Sequence, residues 1–367
     1  MRVLVSSTPG EGHVRPLLPL ARALQARGHE VVFATAASWA ARLREEGFEV
    51  APAGLEQLDA RRFLPLDELR ALPPLERRRV AFPRIFGAGH APAKLPGLLE
   101  HARALRPDVL LHESGDLAAP VAAAVLDVPV VHQGFGAIIP RSLLERAADA
   151  VAPLWREHGL EPDPLAGAFR GLYVDVCPPS FVREEPAGPS VRLRAAERRA
   201  GEPSLVYATM GTVWNQAERF RVLLDALAGL PALVTTGHGV DPAALGAPPD
   251  GVRVERFVPQ EEVLPAASAV ISHGGSGTML GALAHGVPLV LLPQGADQFD
   301  NAELCREAGA ALALSPDADA GSIRAALERV LGESGFRARA EALAAEIAAM
   351  PSAGEVAVAV EEHAVRG

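Results

Sequence analysis

Two cysteines, Cys177 and Cys305, are all that 367 residues contain. A pair so far apart is too little for a disulfide scaffold or a zinc site, and it points to free thiols in a reducing compartment. Long apolar runs are also missing. No stretch of 18 apolar residues occurs, and Met1-Arg2-Val3-Leu4-Val5-Ser6 enters a strand-like segment directly. Neither a membrane span nor a cleaved signal is expected, and the location reads as cytoplasmic. Excess positive charge is absent as well: Lys plus Arg is 35 against Asp plus Glu 45, a net charge of −10. Such a chain does not suit the neutralisation of a phosphate backbone, so nucleic acid is not the expected partner. There is no low-complexity tract or fixed-period repeat, and no Asp-X-Asp pair is read as a metal site, so no metal is expected.

What is present suits large cores. Apolar residues make up 49% and charged residues 22% of the chain, which excludes disordered and fibrous architectures. At roughly 150 residues per domain the length sets an expectation of two domains. Gly (34) and Pro (32) together make about 18% of the chain, against a usual share of about 12%. In so apolar a chain this surplus means many turns or many loops whose backbone binds something.

Arg2 to Ser7 reads as a strand and Thr8-Pro9-Gly10-Glu11-Gly12-His13 as a glycine-punctuated loop. Pro16 then opens a helix, with Leu17, Leu20, Ala21 and Leu24 on one face, that Gly28 closes. Glu30 to Thr35 begins the next strand. Further strands are read at 109–112, 128–131, 204–209, 232–235, 252–255, 269–272 and 289–292, with helices at 118–126, 219–228, 278–285 and 301–308. Strands alternating with helices predict the α/β class, with parallel sheets and ligands at the C-terminal strand ends. Residues 55–100 read as a less regular insertion of helices and loops outside the sheet, where a binding surface could vary. The Arg- and Glu-rich stretch from Arg183 to Gly201 reads as an exposed connection. The expected division is therefore a first domain over 1–185, a linker over 186–203, a second domain over 204–345, and a C-terminal helix over 346–367 that packs back on the first domain.

The most specific run lies in the second half: Phe257-Val258-Pro259-Gln260, then Ser272-His273-Gly274-Gly275-Ser276-Gly277-Thr278, then Gln294-Gly295-Ala296-Asp297-Gln298. The glycine loop follows a strand and opens a helix, so free amides and the positive helix end converge on one point that suits a diphosphate. Glycines 274, 275 and 277 let the backbone approach an anion, Thr278 offers a hydroxyl and His273 a ring N–H. Taken alone, the loop is equally a tight strand-to-helix turn. Phe257 offers a flat face for a base or is a core aromatic; Asp297 and Gln298 offer groups for sugar hydroxyls or form an ordinary polar loop. Because the proposed anion loop must attract negative charge, it is expected to be clear of carboxylates despite the net charge.

In this order and spacing the three segments resemble the donor-binding signature of the family 1 nucleotide-sugar-dependent glycosyltransferases of the GT-B fold. The likeness covers nearly the whole chain. It is nearest to bacterial enzymes that decorate enediynes, macrolides and aromatic polyketides. The resemblance implies two Rossmann-like domains facing across a cleft, with Phe257 and the Val258 backbone at the base and Gln260 close to the nucleoside. It puts His273, Gly275, Ser276, Gly277 and Thr278 on the diphosphate, Asp297 and Gln298 on the sugar, and Gly211-Thr212 in a second donor loop. Many members that use UDP-sugars carry a glutamate on the ribose hydroxyls, where this chain has Gly281. A ribose 2′-OH would there lack a partner, so a dTDP-sugar carrying a deoxysugar is the expected donor, ahead of a UDP-sugar.

A lone loop histidine such as His13 is ordinarily a surface residue. The resemblance makes it the general base, held by an acidic residue after a later strand. The strand 109–112 delivers Glu113, with Asp116 one turn on. Either could partner His13, and either could instead cap the following helix. The implied reaction is an inverting, metal-independent glycosyl transfer to a hydrophobic aglycone of antibiotic biosynthesis, bound against Gly12, Phe82, Phe86 and Phe135, though core packing explains Phe82 and Phe86 equally well. No cofactor beyond the nucleotide-sugar is expected, and oligomeric state, a homodimer included, stays open. Three alternatives remain: an NAD-dependent oxidoreductase, disfavoured because Gly10-Glu11-Gly12-His13-Val14-Arg15 lacks the third glycine of the dinucleotide fingerprint; a non-catalytic activator; and a sugar-nucleotide epimerase.

Overall fold

The computed structural model describes residues 1–57, 59, 62–65, 68, 71–211, 216–237 and 239–366, with the side chains of 74 and 75 left aside. Thr212, expected in the second donor loop, lies outside the described residues. The chain divides into two units, one of Met1–Val176, Val182–Leu193 and Pro351–Gly367, the other of Cys177–Phe181 and Arg194–Met350.

Among the described residues the first unit holds a seven-stranded parallel sheet. Its strands are β1 (Arg2–Ser6), β2 (Glu30–Thr35), β3 (Glu49–Pro52), β4 (Val109–Glu113), β5 (Val130–Gln133), β6 (Leu172–Asp175) and β7 (Ser190–Arg192), in the spatial order β3-β2-β1-β4-β5-β6-β7. Helices cover the sheet, so central strands are apolar throughout: Val3, Leu4 and Val5 on β1 and Leu110 and Leu111 on β4 are fully buried. The strand order reverses between β1 and β4, which run side by side with Ser6 opposite His112. At such a switch point the helices leave in opposite directions and open a crevice at the carboxyl ends of the strands.

The second unit repeats the plan with β8 (Leu205–Thr209), β9 (Ala232–Thr235), β10 (Val252–Glu255), β11 (Ala267–Ser272), β12 (Leu289–Leu291) and β13 (Ala311–Ala313), ordered β10-β9-β8-β11-β12-β13. Its switch point lies between β8 and β11, where Thr209 is opposite Ser272.

Several expectations are corrected. The first unit extends past residue 185, because β7 pairs with β6 and adds an edge strand where an open linker over 186–203 was expected. The C-terminal segment divides at Pro351, whose ring cannot continue a helix and holds Met350 extended (φ −71°, ψ 149°). Ser334–Ala349 therefore stays with the second unit. Ala353–Arg366 packs on the helix Leu18–Ala26 of the first. There Arg27 grips Glu361 at 2.6 and 2.8 Å, and His29 Nε2 donates to the same carboxylate at 2.6 Å. The strands β3, β6, β7 and β13 were not foreseen. The insertion read over 55–100 does contain helices, in a run that continues past it to Leu105: Pro74–Phe82, a π-helical stretch Pro83–His90, and Ala91–Leu105. No single helix among the described residues is long and apolar enough to cross a membrane.

Candidate active site

At the switch point of the first sheet, the chain leaves β1 through Ser7 and Thr8 and turns at Gly10 into the helical turn Glu11–Val14. The helix thus begins five residues before the expected Pro16, and His13 sits in its first turn rather than in a loop. His13 Nδ1 lies 2.9 Å from Oε2 of Glu113, the last residue of β4. Glu113 is completely buried. Its Oε1 accepts from the Thr8 amide (3.0 Å) and hydroxyl (2.9 Å), and its Oε2 also accepts from the Gly115 amide. Burial alone would push this carboxyl up. The His13 charge and hydrogen bond, together with the Thr8 and Gly115 amides, outweigh it and hold the group at about 2. A carboxylate so held keeps the proton on Nδ1 and directs basicity to Nε2.

Aromatic rings wall the imidazole: Phe86 at 5.5 Å between centroids and Phe135 edge-on at 5.1 Å. Gly115 closes another side, where a Cβ would stand 2.9 Å from both His13 Cε1 and Phe86 Cε1. Two expected residues take other places. Phe82 is buried in the core and reaches the site only by packing on Phe86, 5.1 Å away. Asp116 does not meet His13: its Oδ1 caps the following helix through the amides of Ala118 (3.2 Å) and Ala119 (3.3 Å), and its Oδ2 is 2.6 Å from Ser6 Oγ. Gly12 is exposed in the same turn as His13, with open space where its side chain would be.

The switch point of the second sheet brings together several of the residues expected at the donor. After β11 come His273, Gly274 (φ +85°) and Gly275, which precedes the helix Ser276–Ala284. The first intrahelical bond is Met279 N–H to Gly275 O at 3.0 Å, so the amides of Ser276, Gly277 and Thr278 lie ahead of the ladder at the positive helix end. His273 is held as a neutral ring by burial, at about 4 despite Asp297, and its Nδ1 is buried without a partner among the described residues. Gly211, after β8, lies against that ring. Phe257, two residues beyond β10, is half exposed.

Several donor candidates are already engaged. Ser276 Oγ donates to Asp297 Oδ2 at 2.8 Å, so a carboxylate does stand beside the loop that was expected to be clear of them. Asn301, missed in the sequence although four residues after Asp297 on one helix face, places Nδ2 2.9 Å from Gly274 O, 3.0 Å from Ser276 Oγ and 3.0 Å from Asp297 Oδ2. Gln298 is buried, and its Oε1 accepts from the amides of Gln294 (2.8 Å) and Gly295 (3.1 Å), closing the turn from which sugar contacts were expected. Gln260 Nε2 donates to Thr278 Oγ1 at 2.8 Å, tying the segment after Phe257 to the glycine loop. Thr8, Gly115 and Asn301 are the supporting residues that spacing did not reveal. Among the described residues no three His, Cys, Asp or Glu side chains are grouped to hold a metal. Asp317 and Asp319 do have Asp-X-Asp spacing, but Asp319 caps a helix through the Ser322 amide at 2.7 Å.

Two Rossmann-like units, one with a histidine–carboxylate pair and the other with a glycine loop opening a helix at equivalent switch points, define a glycosyltransferase of the GT-B fold. Residues 79–197 match the N-terminal and 221–363 the C-terminal domain of the erythromycin biosynthesis protein CIII-like family. The L-demethylnoviosyl transferase of Streptomyces niveus is 34% identical, with 97% of each chain covered. Glycosyltransferase VinC in complex with dTDP superimposes with a TM-score of 0.80 at 26% identity over 100% of both chains. The glycosyltransferase SsfS6 of Streptomyces sp. SF2575, complexed with thymidine diphosphate, gives 0.79 at 28% identity over 99% of both. The chain belongs to the erythromycin biosynthesis protein CIII-like family and is a glycosyltransferase of antibiotic biosynthesis. The oxidoreductase and non-catalytic alternatives fall away.

Proposed function

We propose that this enzyme transfers a deoxysugar from a dTDP-sugar to a hydroxyl of a hydrophobic natural-product aglycone, with inversion and without a metal ion. The observation that carries the reading is the buried Glu113 carboxylate, with its four donors, 2.9 Å from His13 Nδ1. In the proposed reaction His13 Nε2 takes the proton of the acceptor hydroxyl as its oxygen attacks the anomeric carbon. The bond from that carbon to the diphosphate oxygen breaks, and dTDP leaves from the opposite face of the sugar. Charge gathering on the diphosphate is met by the Gly275–Thr278 backbone, the Thr278 hydroxyl, His273 and the helix end. Phe257 stacks on the base, with the Val258 backbone and Gln260 beside the nucleoside, and Asp297 faces the sugar. Phe86 and Phe135 supply the apolar wall for the aglycone.

Thymidine as the nucleoside is supported by the dTDP held by VinC and the thymidine diphosphate held by SsfS6. It is also supported by Gly281, where a Cβ would come within 3.0 Å of Leu264 Cδ1, so that no carboxylate can be placed without moving Leu264. The test is mass spectrometry of products after incubation with a panel of dTDP- and UDP-sugars and polyketide aglycones. Glycosylated aglycone from dTDP-sugars is expected. Sugar-nucleotide epimerisation without transfer to any aglycone would overturn the reading.

A further inference from the structure

We propose that Lys94 and Asp116 form a buried positioning pair that sets the geometry of His13 and Glu113. This rests on the assignment of His13 and Glu113 as the base and its partner.

Lys94 is the single lysine among 35 basic residues, every other one being arginine, and it is also among the most deeply buried side chains, at 2% exposure. Its Nζ lies 2.6 Å from Asp116 Oδ2, 2.6 Å from Ser7 O and 2.9 Å from Ala34 O. Three acceptors therefore meet the three N–H bonds of one ammonium. A planar guanidinium presents its donors as a fork and cannot converge on one point in this way, which gives a physical reason for lysine here. Asp116 is equally satisfied: Oδ1 accepts from Ala118 and Ala119, and Oδ2 from Ser6 Oγ and Lys94.

The partners lie where positioning needs them. Ser6 and Ser7 run directly into Thr8, whose amide and hydroxyl hold Glu113 Oε1. The Asp116 amide donates to Glu113 O at 3.0 Å, closing the turn that contains Gly115, the donor to Glu113 Oε2. Both strands of backbone that grip the Glu113 carboxylate are thus tied to one ion pair. Lys94 also continues a four-residue ladder, Phe82, Phe86, His90 and Lys94, along the helical run from Pro74 to Leu105. Phe86, which walls His13, and Lys94, which anchors its support, are therefore carried by one continuous helical run. Breaking half of such a pair leaves an uncompensated buried charge, whereas replacing both halves with apolar residues is often neutral for stability.

The experiment measures kcat, KM, the pH profile of kcat/KM and dTDP affinity for Lys94→Met, Ser6→Ala and the double variant Lys94→Met/Asp116→Leu. His13→Ala serves as the control. A positioning role predicts that the double variant folds yet loses about tenfold or more in kcat, with dTDP affinity unchanged and the acid limb of the profile displaced. Ser6→Ala, which removes one hydroxyl and keeps the fold, is expected to show a smaller loss of the same kind. With ¹⁵N-lysine labelling, the single Nζ resonance is expected to move in Ser6→Ala. Normal kcat and pH profile in the folded double variant, or in Ser6→Ala if the double variant does not fold, would overturn the inference alone, provided His13→Ala is inactive. Turnover by His13→Ala would instead remove the assignment beneath it.

Discussion

A methyl group on Gly211 would stand 2.5 Å from Cε1 of His273, closer than two carbons can pack. Gly211 also has φ +71°, in the left-handed region that costs an alanine roughly 1–2 kcal/mol. Gly211→Ala is therefore expected to displace the His273 ring and weaken dTDP binding by about tenfold or more, equivalent to about 1.4 kcal/mol. A Cβ on Gly335, in the helix Ser334–Ala349 and outside the proposed donor site, meets nothing within 4 Å, so Gly335→Ala serves as the contrast, within about threefold of wild type. Isothermal titration with dTDP checks both. Equal affinities in the two variants would show that the ring needs no such space.

Removal of the proposed base should be seen in turnover and not in donor binding. His13→Ala is expected to lower kcat by roughly 10²–10⁴, the usual contribution of a positioned base. Glu113→Gln keeps the shape and deletes the charge beside Nδ1, and a loss approaching that of His13→Ala is expected. Both variants should bind dTDP as the wild type does. Steady-state kinetics with near-normal kcat for Glu113→Gln would show that the carboxylate does not orient the base.

The nucleoside contacts can be tested on binding alone. Phe257→Ala is expected to raise the dTDP dissociation constant by roughly 5–150-fold, since stacking of a base on an aromatic ring is worth about 1–3 kcal/mol. Its kcat at saturating donor should change little. Gly281→Glu combined with Leu264→Ala, which clears the atom 3.0 Å from the new Cβ, is expected to improve UDP binding relative to dTDP. An unchanged UDP-to-dTDP ratio in competition titrations would remove the argument from the missing carboxylate.

Acid should destabilise the fold well before the carboxylates titrate. Burial lowers His90 and His273 to about 4 and His132 to about 3, so all three are neutral in the native state, whereas in the unfolded chain they titrate near the ordinary value of about 6.5. From pH 6.5 down to about 4 the unfolded state binds protons that the folded state does not, and stability falls by up to about 1.4 kcal/mol per pH unit for each group. Glu113 and Glu361, both held at about 2, work in a lower window: their contribution is present above the ordinary carboxylate range and is lost as pH falls towards 2. Urea unfolding midpoints should decline steadily from pH 7 to 4. His90→Phe, placed between Phe63 and Phe86, should make that decline shallower. An identical slope would exclude His90 from the effect.

The candidate residues could be named from the sequence because their signals are local. Phe257, the run from His273 to Thr278 and the pair Asp297-Gln298 stand in order along the chain. Glu113 ends an apolar run whose strand bounds were read almost to the residue. The errors have local causes too. Ser190–Arg192 is too short and polar to announce itself as an edge strand, and Glu11–Val14 was hidden by its glycine.

By itself the sequence determined the α/β alternation, the glycine-lined turns and the presence of a histidine, two acids and an anion loop, because periodicity and turn chemistry act over a few residues. The tertiary structure alone decided which acid meets His13, since residues 100 positions apart come together only through the adjacency and register of β1 and β4. It likewise decided that Asp116 belongs to Lys94, and that Ser276 and Gln298 are partly engaged within their own loops. A buried polar atom takes whichever partner the packing brings within hydrogen-bond reach, and strand order, which no short window contains, decides what that partner is.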